Sequence, residues 1–211
     1  MVTFRKASKK EIKEVAELTT KSFGEYPLFE ICFKHRFKRE EKYKKFMHIL
    51  LRIHIRTFAL KNTVLVAEND GKIVAMALVV NPKYKESSIM DYVMAGGFNI
   101  FWNVGARGIR DIRNVERQAE EFFYSGYKDS WFLALIAVDS NFKGQKIGTR
   151  MLHECVIPYV RDRGAKQLTL STNDERNRKF YTDNGFTEVE EKQIKLYDKS
   201  IPSWAYVMDI N

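Results

Sequence analysis

The stretch from Trp131 to Gly148 constrains the fold of this chain more than any other part of it. It opens with eight apolar residues, Trp131–Val138, a run that suits a buried strand and is short for a helix. Residues 139–141 are Asp, Ser and Asn, which favour a turn. Beyond the turn, apolar residues recur at helical spacing as Ile147, Met151, Cys155 and Tyr159. The stretch therefore predicts a strand, a loop and a helix in succession.

The loop between this strand and helix has the composition of an anion-binding turn. The first backbone N–H groups of a helix have no intrahelical partner, and the helix dipole adds partial positive charge at the same end. Gly144 and Gly148 carry no Cβ to obstruct a ligand, and Lys143 and Lys146 add charge. An ordinary strand-to-helix turn can have the same composition, so the loop alone leaves both interpretations open.

The glycine spacing excludes two nucleotide-binding motifs. A Walker A loop needs GxxxxGK followed by Ser or Thr, and a dinucleotide fingerprint needs GxGxxG, whereas this loop has GxxxG. The loop does resemble the acyl-CoA-binding loop of the GNAT superfamily of N-acetyltransferases, (Arg/Gln)-x-x-Gly-x-(Gly/Ala). Lys143 stands at the first place of that pattern and Gly148 at the last, while Lys146 replaces the usual middle glycine. This departure concerns how closely the backbone can approach a pyrophosphate.

A second segment, Thr172–Phe186, supports the same resemblance. GNAT proteins often carry Asn-x-x-Phe-Tyr-x-x-x-Gly-Phe here, and this chain matches every specified position. The matching residues are Asn177, Phe180, Tyr181, Gly185 and Phe186. Thr172 also matches a threonine that often precedes the asparagine, although Ser171 stands where a glutamate is common. Because the two motifs follow one another in the order of the superfamily, the chain is identified as a member of it.

Patterns elsewhere predict an α/β chain whose elements follow the order βα(α)ββ(αα)βαβαββ. Ser8 and Glu11 form a capping box for the first helix, and residues 69–71 (Asn-Asp-Gly) join two strands in a hairpin. Pro158 should kink the central helix near its end. The predicted helices include 29–60, 89–102, 109–124 and 177–184, and the predicted closing strands are 186–190 and 205–210.

The resemblance implies a mixed, mostly antiparallel central sheet flanked by helices, which is the GNAT-like acyl-CoA acyltransferase fold. A chain of 211 residues suits one domain, so we expect residues 1–211 to form a single one. Residues 87–130 form a helical insertion before the central strand, and the family core does not require it. We expect this insertion to cover the acceptor side of the cleft as a specificity element.

The resemblance also implies acetyl-CoA as the cosubstrate and assigns residues that bind it. The pyrophosphate would lie in the loop, and an oxyanion donor would lie at the end of the central strand. The pantetheine arm would pass between that strand and the next. The residues assigned to cofactor binding are Ile136, Ala137, Val138, Lys143, Gly144, Gln145, Lys146, Ile147, Gly148, Thr149, Asn173, Asn177 and Tyr181.

Tyr181 aligns with the tyrosine that many GNAT enzymes use to protonate the departing thiolate, so we predict it as the catalytic general acid. Its alternative role is that of a helix tyrosine packed beside Phe180. No general base can be identified, because several carboxylates lie in segments that could face the acceptor. These are Glu25, Glu30, Asp91 and Glu121.

Composition restricts the compartment and the partners. The formal net charge of +9 fits an anionic ligand such as CoA, a nucleic acid or an anionic surface. Two cysteines cannot build a disulfide framework, and no apolar run approaches the roughly 20 residues that cross a bilayer. The N-terminus has no apolar core of a signal peptide. We therefore expect a cytoplasmic protein with no membrane partner, and the four histidines show no metal-site spacing.

Three functions are compatible with these observations. The first is acetyl transfer from acetyl-CoA to a primary amine of a small molecule, which the long insertion favours because it suggests a closed pocket. The second is acetylation of a protein lysine or N-terminus. The third is a non-catalytic CoA-binding regulatory module; no nucleic-acid-binding signature is visible, so nucleic acid is not an expected partner. A homodimer is compatible with the sequence.

Overall fold

The computed structural model describes residues 1–83 and 89–210. The strands of its sheet are β1 (Val2–Lys6), β2 (Thr63–Asn69), β3 (Lys72–Val80), β4 (Trp131–Val138), β5 (Gln167–Thr172), β6 (Thr187–Leu196) and β7 (Lys199–Asp209). Their spatial order is β1-β2-β3-β4-β5-β7-β6, and β4 and β5 run parallel whereas the other neighbouring pairs are antiparallel. The predicted mixed, mostly antiparallel sheet is thereby confirmed.

Helices flank both faces of this sheet. They are α1 (Ile12–Phe23), α2 (Pro27–Phe33), α3 (Glu40–Lys61), α4 (Ile89–Met94), α5 (Phe98–Gly126), α6 (Ile147–Arg150, Met151–Val156 and Ile157–Arg161) and α7 (Arg176–Asp183). The buried side of α6 packs on one face of the sheet, and α1 and α3 pack on the other. The order of the strands is the predicted one. The single helical segment predicted over residues 29–60 was wrong, because a 3-10 turn and an extended stretch over residues 34–39 divide it into α2 and α3. No helix in the described ranges is long and apolar enough to cross a membrane.

A capping box and a hairpin turn predicted from the sequence are both present in the structure. The backbone N–H of Ser8 donates to the Glu11 carboxylate at 2.7 Å, which is one half of the capping box. The β2–β3 hairpin turns at Asp70 and Gly71, whose φ angles are 51° and 78°. Both angles lie in the left-handed region, which the right-handed twist of the flanking strands favours in a two-residue turn.

The irregularity predicted at Pro158 occurs as a π-helical turn inside α6. The segment Met151–Val156 is π-helical, and the N–H of Ile157 donates to the carbonyl of Leu152, five residues back. Proline has no N–H to donate and disturbs the hydrogen bonds of the turn before it. The wider turn therefore carries the helix past Pro158, and α6 continues to Arg161.

The prediction for the closing strands was wrong in extent. Residues 186–190 and 205–210 were expected, whereas β6 continues to Leu196 and β7 already begins at Lys199. β6 is an edge strand, so its charged residues alternate between solvent and a half-buried face. Pro202 lies within β7, and because a proline is unfavourable in a strand that pairs on both edges, the sequence predicted a later start for this strand. The hairpin turns at Tyr197, whose φ is 56°.

The helical insertion before β4 forms α4 and α5. Residues 87 and 88, with which the predicted insertion begins, lie outside the described residues. The predicted break between its helices occurs at Gly105, which has a φ of 64° and a ψ of −177°. The buried face of α5 packs against α2, α3 and the end of β6; it comprises Ile100, Val104, Val115 and Ala119. The insertion thus covers the part of the molecule that contains α2 and the β6–β7 hairpin.

Candidate active site

The centre of the sheet opens into a cleft because β4 and β5 separate. They pair only at Trp131 with Leu168 and at Phe132 with Thr169. At the closed end, the Thr169 hydroxyl donates to the carbonyl of Trp131 at 3.1 Å and lies 3.0 Å from the Ser130 hydroxyl. Beyond Phe132, the edge of β4 that faces β5 has no strand partner in the described part of the chain. The divergence that the GNAT resemblance implied is therefore present in the fold.

A β-bulge lies in β4 at the level where the two strands separate. Leu78 of β3 pairs with Leu135, and the next β3 residue, Val79, pairs with Leu133, so Ala134 is the extra residue. The side chains of Ala134 and Leu135 consequently lie on the same side of the sheet, against α1 and α3. A bulge bends its strand and increases the local twist, which accounts for the departure of β4 from β5.

The backbone groups of β4 that face the cleft follow from its pairing with β3. The N–H of Asp139 donates to the carbonyl of Val74 at 2.8 Å. Because hydrogen-bonded pairs alternate along antiparallel strands, Ala137 bonds toward β3, whereas Ile136 and Val138 direct their N–H groups toward the cleft. Of the three residues predicted near the oxyanion position, Ile136 and Val138 therefore present amides there, and Ala137 does not.

The loop after β4 presents its backbone to solvent. Residues 143–146 are exposed, and two of them are left-handed, Gly144 with a φ of 80° and Lys146 with a φ of 56° and a ψ of 18°. The residue that replaces the usual glycine thus keeps the left-handed conformation that a glycine adopts without strain. For an L-residue this conformation costs about 1–2 kcal/mol. The departure from the family pattern therefore changes the side chain and leaves the local backbone conformation in place.

The helix that follows supplies the remaining groups of a phosphate site. The first amides of α6 belong to Ile147, Gly148 and Thr149, and the N–H of Arg150 already bonds to the carbonyl of Lys146 at 2.9 Å. These amides point out of the end of a helix fifteen residues long, where the dipole places positive charge. Together with the exposed Lys143, the arrangement fits the pyrophosphate of CoA.

Gly148 has a packing role as well. A Cβ at this position would lie 3.3 Å from two ring carbons of Phe180 and 3.6 Å from a methyl carbon of Val138. The glycine therefore allows α7, which carries Phe180, to approach the start of α6. A substitution at Gly148 would displace α7 in addition to obstructing a ligand, so variants of the neighbouring lysines are better probes of cofactor binding.

Tyr181 lies in the core that α6 and α7 form with the sheet. Its ring packs within 5.3–5.8 Å, centroid to centroid, of the rings of Phe180, Phe186 and Tyr206. Burial raises the pKa of the hydroxyl above its ordinary value, and among the described residues none forms a hydrogen bond with it. The group therefore stays protonated at neutral pH and keeps its proton available for a bound molecule.

Sequence reasoning missed Tyr26, which closes the end of β5. Its hydroxyl accepts from the N–H of Asn173 at 2.7 Å and lies 3.2 Å from the hydroxyl of Thr172. The Tyr26 ring also packs on Phe23, 5.3 Å between centroids. Burial, and then the charge that Tyr26 would carry if ionised, raise the pKa of Tyr181, so the two phenols are neighbours. The available signal was an aromatic residue between the helix-ending Gly24 and Pro27.

The two asparagines predicted to contact the cofactor are held by the same region. The Nδ2 of Asn177 donates to the Thr172 hydroxyl at 3.0 Å, which leaves its second amide hydrogen and its carbonyl oxygen for a ligand. Asn173 is buried, and its Nδ2 donates to the carbonyl of Pro202 on β7 at 2.9 Å. Asn177 is therefore placed to contact a ligand, whereas the side chain of Asn173 is directed toward β7.

The four carboxylates considered as a base each pair with a lysine. Glu25, Glu30, Asp91 and Glu121 form ion pairs with Lys44, Lys34, Lys61 and Lys192 respectively. A different carboxylate, Glu116 on α5, is half-buried between the apolar Ile112 and Ala119. Burial, and then the neighbouring Glu120, raise the pKa of Glu116 to about 8. Its position on the apolar face of α5 was the signal that sequence reasoning missed.

Within the ranges that the structure describes, no group of three or more His, Cys, Asp and Glu side chains is arranged to hold a metal ion. The two cysteines, Cys32 and Cys155, are both buried and free. Burial raises the pKa of each thiol. Neither thiol is therefore activated as a nucleophile.

Comparisons with solved structures agree on the fold. The chain is similar to a structure described as histone acetyltransferase HPA2 and related acetyltransferase from Corynebacterium glutamicum, with a TM-score of 0.66, 16% identity and coverage of 100% of this chain and 97% of the other. It is also similar to the Drosophila melanogaster polyamine N-acetyltransferase, with a TM-score of 0.61, 15% identity and coverage of 99% and 100%. A third similar structure is an agmatine N-acetyltransferase, with a TM-score of 0.64, 13% identity and coverage of 99% and 100%.

Comparisons of sequence identify the family. No curated protein sequence matches the chain. The family model described as the acetyltransferase (GNAT) domain matches residues 61–188, which is more than half of the chain and spans β2 to the start of β6. That range contains the separated strands, the loop before α6 and Tyr181. The chain belongs to the GNAT family of acetyl-CoA-dependent acetyltransferases.

Proposed function

We propose that this protein transfers an acetyl group from acetyl-CoA to a primary amine of a small molecule, with Tyr181 as the general acid. One observation carries the proposal. The edge of β4 beyond Phe132 has no strand partner in the described part of the chain, the loop before α6 follows directly on β4, and Tyr181 lies in the core that α6 and α7 form with the sheet, near Tyr26 at the end of β5. An acyl donor held along β4 would meet backbone N–H donors on one side and a protonated phenol on the other.

The same geometry supports a binding mode for acetyl-CoA. The pyrophosphate would bind at the first amides of α6 and at Lys143 and Lys146, and Asn177 would contact the pantetheine arm with its free amide groups. The acyl oxygen would accept a hydrogen bond from the N–H of Ile136 or Val138, whose positions the bulge fixes before any ligand binds. A donor fixed in advance stabilises the developing negative charge without reorganisation.

The chemical step requires few protein groups. The neutral amine attacks the thioester carbonyl, the carbon–nitrogen bond forms, and the carbon–sulfur bond breaks. The departing sulfur takes the proton of Tyr181, and the amine proton passes to a base or to water, from which the phenolate is reprotonated. The products are the N-acetylated amine and CoA with a free thiol. We propose Glu116 on α5 as that base in its ionised form, since its raised pKa of about 8 allows it to exchange a proton near neutral pH.

A small amine is favoured over a protein acceptor by two observations. The insertion packs α5 against α2 and β6. We infer that its helices cover the region beside the cleft where an extended peptide would have to lie. Two of the similar structures are described as acting on agmatine and polyamines, which are small cationic amines.

The test is a screen of amines with acetyl-CoA, read by release of the CoA thiol, followed by kinetics of Tyr181→Phe with the best acceptor. We expect kcat to fall by about 10² to 10⁴, which is the usual contribution of a positioned acid. Binding of acetyl-CoA and the melting temperature should stay near those of the wild type, because the ring contacts of Tyr181 remain. Since burial raises the pKa of this phenol, the wild-type rate should show no loss from its ionisation below pH of about 10.

Phe29→Leu is a control, since Phe29 is a half-buried aromatic residue packed near Tyr26 and its ring carries no proton to transfer. A near-normal kcat in Tyr181→Phe would remove the residue from the mechanism. Lost folding or lost cofactor binding in that variant would instead assign it a structural role. A lysine-containing peptide in the same screen, acetylated faster than every small amine, would contradict the choice of acceptor.

A further inference from the structure

The insertion carries an exposed apolar surface that the acetyl-transfer site does not use. It consists of five side chains, here called the aromatic–methionine patch: Met90, Met94, Phe98, Phe101 and Trp102. Each is between 49% and 80% exposed, and they account for half of the large apolar side chains that the described structure leaves exposed. Side chains of this size present several hundred Å² together, which in a soluble domain marks an interaction surface.

Helical spacing places the members of the patch on two adjoining faces. Met90 and Met94 are four residues apart on α4, and Phe98, Phe101 and Trp102 share the face of the first turns of α5. The two helices follow one another directly, and the N–H of Gly97 donates to the carbonyl of Tyr92 at 2.7 Å. The opposite face of α5 is anchored in the core by Ile100 and Val104. The patch is therefore the outward side of a fixed element.

The surface that borders the patch is positively charged. The C-terminal half of α3 adjoins α4, because Lys61 pairs with Asp91 and the side chain of Ile53 reaches Gly96. Residues 42–61 contain no aspartate or glutamate, and residues 92–110 contain none either. Asp91, the carboxylate that directly precedes the second segment, is paired with Lys61. The exposed cations on these two segments include Arg56, Arg107 and Arg110.

We propose that the aromatic–methionine patch and its basic border bind the surface of an anionic phospholipid bilayer. Aromatic and apolar side chains partition into the boundary between headgroups and acyl chains, and neighbouring arginines attract anionic lipids. A second copy of the chain fits less well, because pairing two patches would bring two basic borders together. Peripheral binding of this kind differs from spanning a membrane, and it revises the expectation from the sequence that the protein has no membrane partner.

The tryptophan residues allow a direct experiment. Trp131 and Trp204 are buried, so Trp102 is the tryptophan whose fluorescence a surface ligand can change. The protein is mixed with vesicles of phosphatidylcholine alone, or of equimolar phosphatidylcholine and phosphatidylglycerol, and both sedimentation with vesicles and tryptophan emission are recorded. We expect co-sedimentation and a blue shift of the emission with the anionic vesicles only, and both should weaken as salt is raised.

Two variants and their controls separate the contributions of apolar area and charge. Phe98→Ser with Trp102→Ser should lower vesicle affinity at least tenfold, whereas Val189→Ser, which removes an exposed apolar side chain on β6, should not. Arg56→Glu with Arg110→Glu should have a similar effect, whereas Lys13→Glu on α1 should not. All of these side chains are exposed, so the variants should remain folded.

Three results would overturn the proposal. One is the absence of binding to anionic vesicles, and another is equal binding to both vesicle compositions. The third is a blue shift that grows with protein concentration without lipid and coincides with a dimer in sedimentation velocity, which would assign the patch to a second copy of the chain.

Discussion

Lys146 and Gly148 stand two residues apart in the cofactor loop, and the structure gives them opposite constraints. At Lys146 the backbone is left-handed, with a φ of 56°, so a glycine would suit the position and the chain has a lysine. At Gly148 the backbone is helical, and a glycine is favoured because a Cβ would meet the Phe180 ring at 3.3 Å. The family pattern therefore has two physical causes in this loop, a backbone conformation at one place and close packing of α7 at the other.

The first prediction at the scale of single residues concerns this lysine. Lys146→Gly relieves the left-handed strain and should raise the free energy of unfolding by up to about 1 kcal/mol, after the entropy that glycine costs is subtracted. Lys146→Ala is the matched control, because it removes the same charge and keeps the strain. Both variants should bind acetyl-CoA more weakly by a similar factor. Denaturant unfolding and calorimetric titration measure the two effects, and equal stability of the two variants would contradict the assignment of strain.

At the scale of elements, α5 is interrupted by a conformation that only glycine adopts readily. Gly105 has a φ of 64° and a ψ of −177°, and the chain is helical on either side of it. The interruption lies between the part of α5 that carries the aromatic–methionine patch and the part that packs along β6. It thus sets the angle at which the patch is presented.

Gly105→Ala should lower the free energy of unfolding by about 1–3 kcal/mol, because the side chain cannot adopt this backbone conformation without strain. Space is not the reason, since a Cβ at Gly105 would meet nothing within 4 Å. The same is true at Gly126 at the end of α5, where φ is not positive, so Gly126→Ala should be neutral or slightly stabilising. Thermal unfolding compares the two variants, and an equal effect of both would refute the conformational argument.

The elements that the sequence predicted well are those in which a single residue pattern continues along the whole segment. β4 is a continuous apolar run, and its observed bounds, Trp131–Val138, equal the predicted ones. β6 shows the opposite case, because a charged edge strand depends on its pairing with β7 and carries no apolar run of its own. The same distinction applies to the site. The loop and Tyr181 were found from local motifs, whereas Tyr26 and Glu116 depend on contacts between distant segments that the sequence does not display.

At the scale of the whole molecule, one carboxylate joins three segments on what we propose to be the acceptor side. Asp111 on α5 is buried and pairs with Arg36, which lies in the turn after α2. The hydroxyl of Tyr197, at the tip of the β6–β7 hairpin, donates to the same carboxylate at 2.7 Å. Gly108 lies beside this pair, since a Cβ there would be 3.5 Å from the Nε of Arg36; the same Cβ would come within 2.5 Å of the Cβ of Val104. The insertion is therefore fixed to α2 and to the hairpin through Asp111.

Removing one partner of this ion pair should affect the acceptor side and leave the cofactor side intact. Asp111→Ala leaves a largely buried guanidinium unpaired and should lower the free energy of unfolding by about 3–5 kcal/mol, and Arg36→Met should have a comparable effect. The double variant Arg36→Met with Asp111→Leu should recover much of the loss, because no unpaired charge remains. Glu30→Ala, which removes a more exposed ion pair with Lys34, should cost less than about 1 kcal/mol.

Kinetics of the double variant then separate the two sides of the site, because its stability permits assay. The cofactor cleft is built from β4, α6 and α7, none of which contacts Asp111, so the dissociation constant of acetyl-CoA should not change. The acceptor side depends on how the insertion sits against α2, so KM for the amine should rise severalfold. Should acetyl-CoA binding weaken as much as KM for the amine rises, the insertion would belong to the cofactor site, and the division of the molecule into a cofactor half and an acceptor half would be wrong.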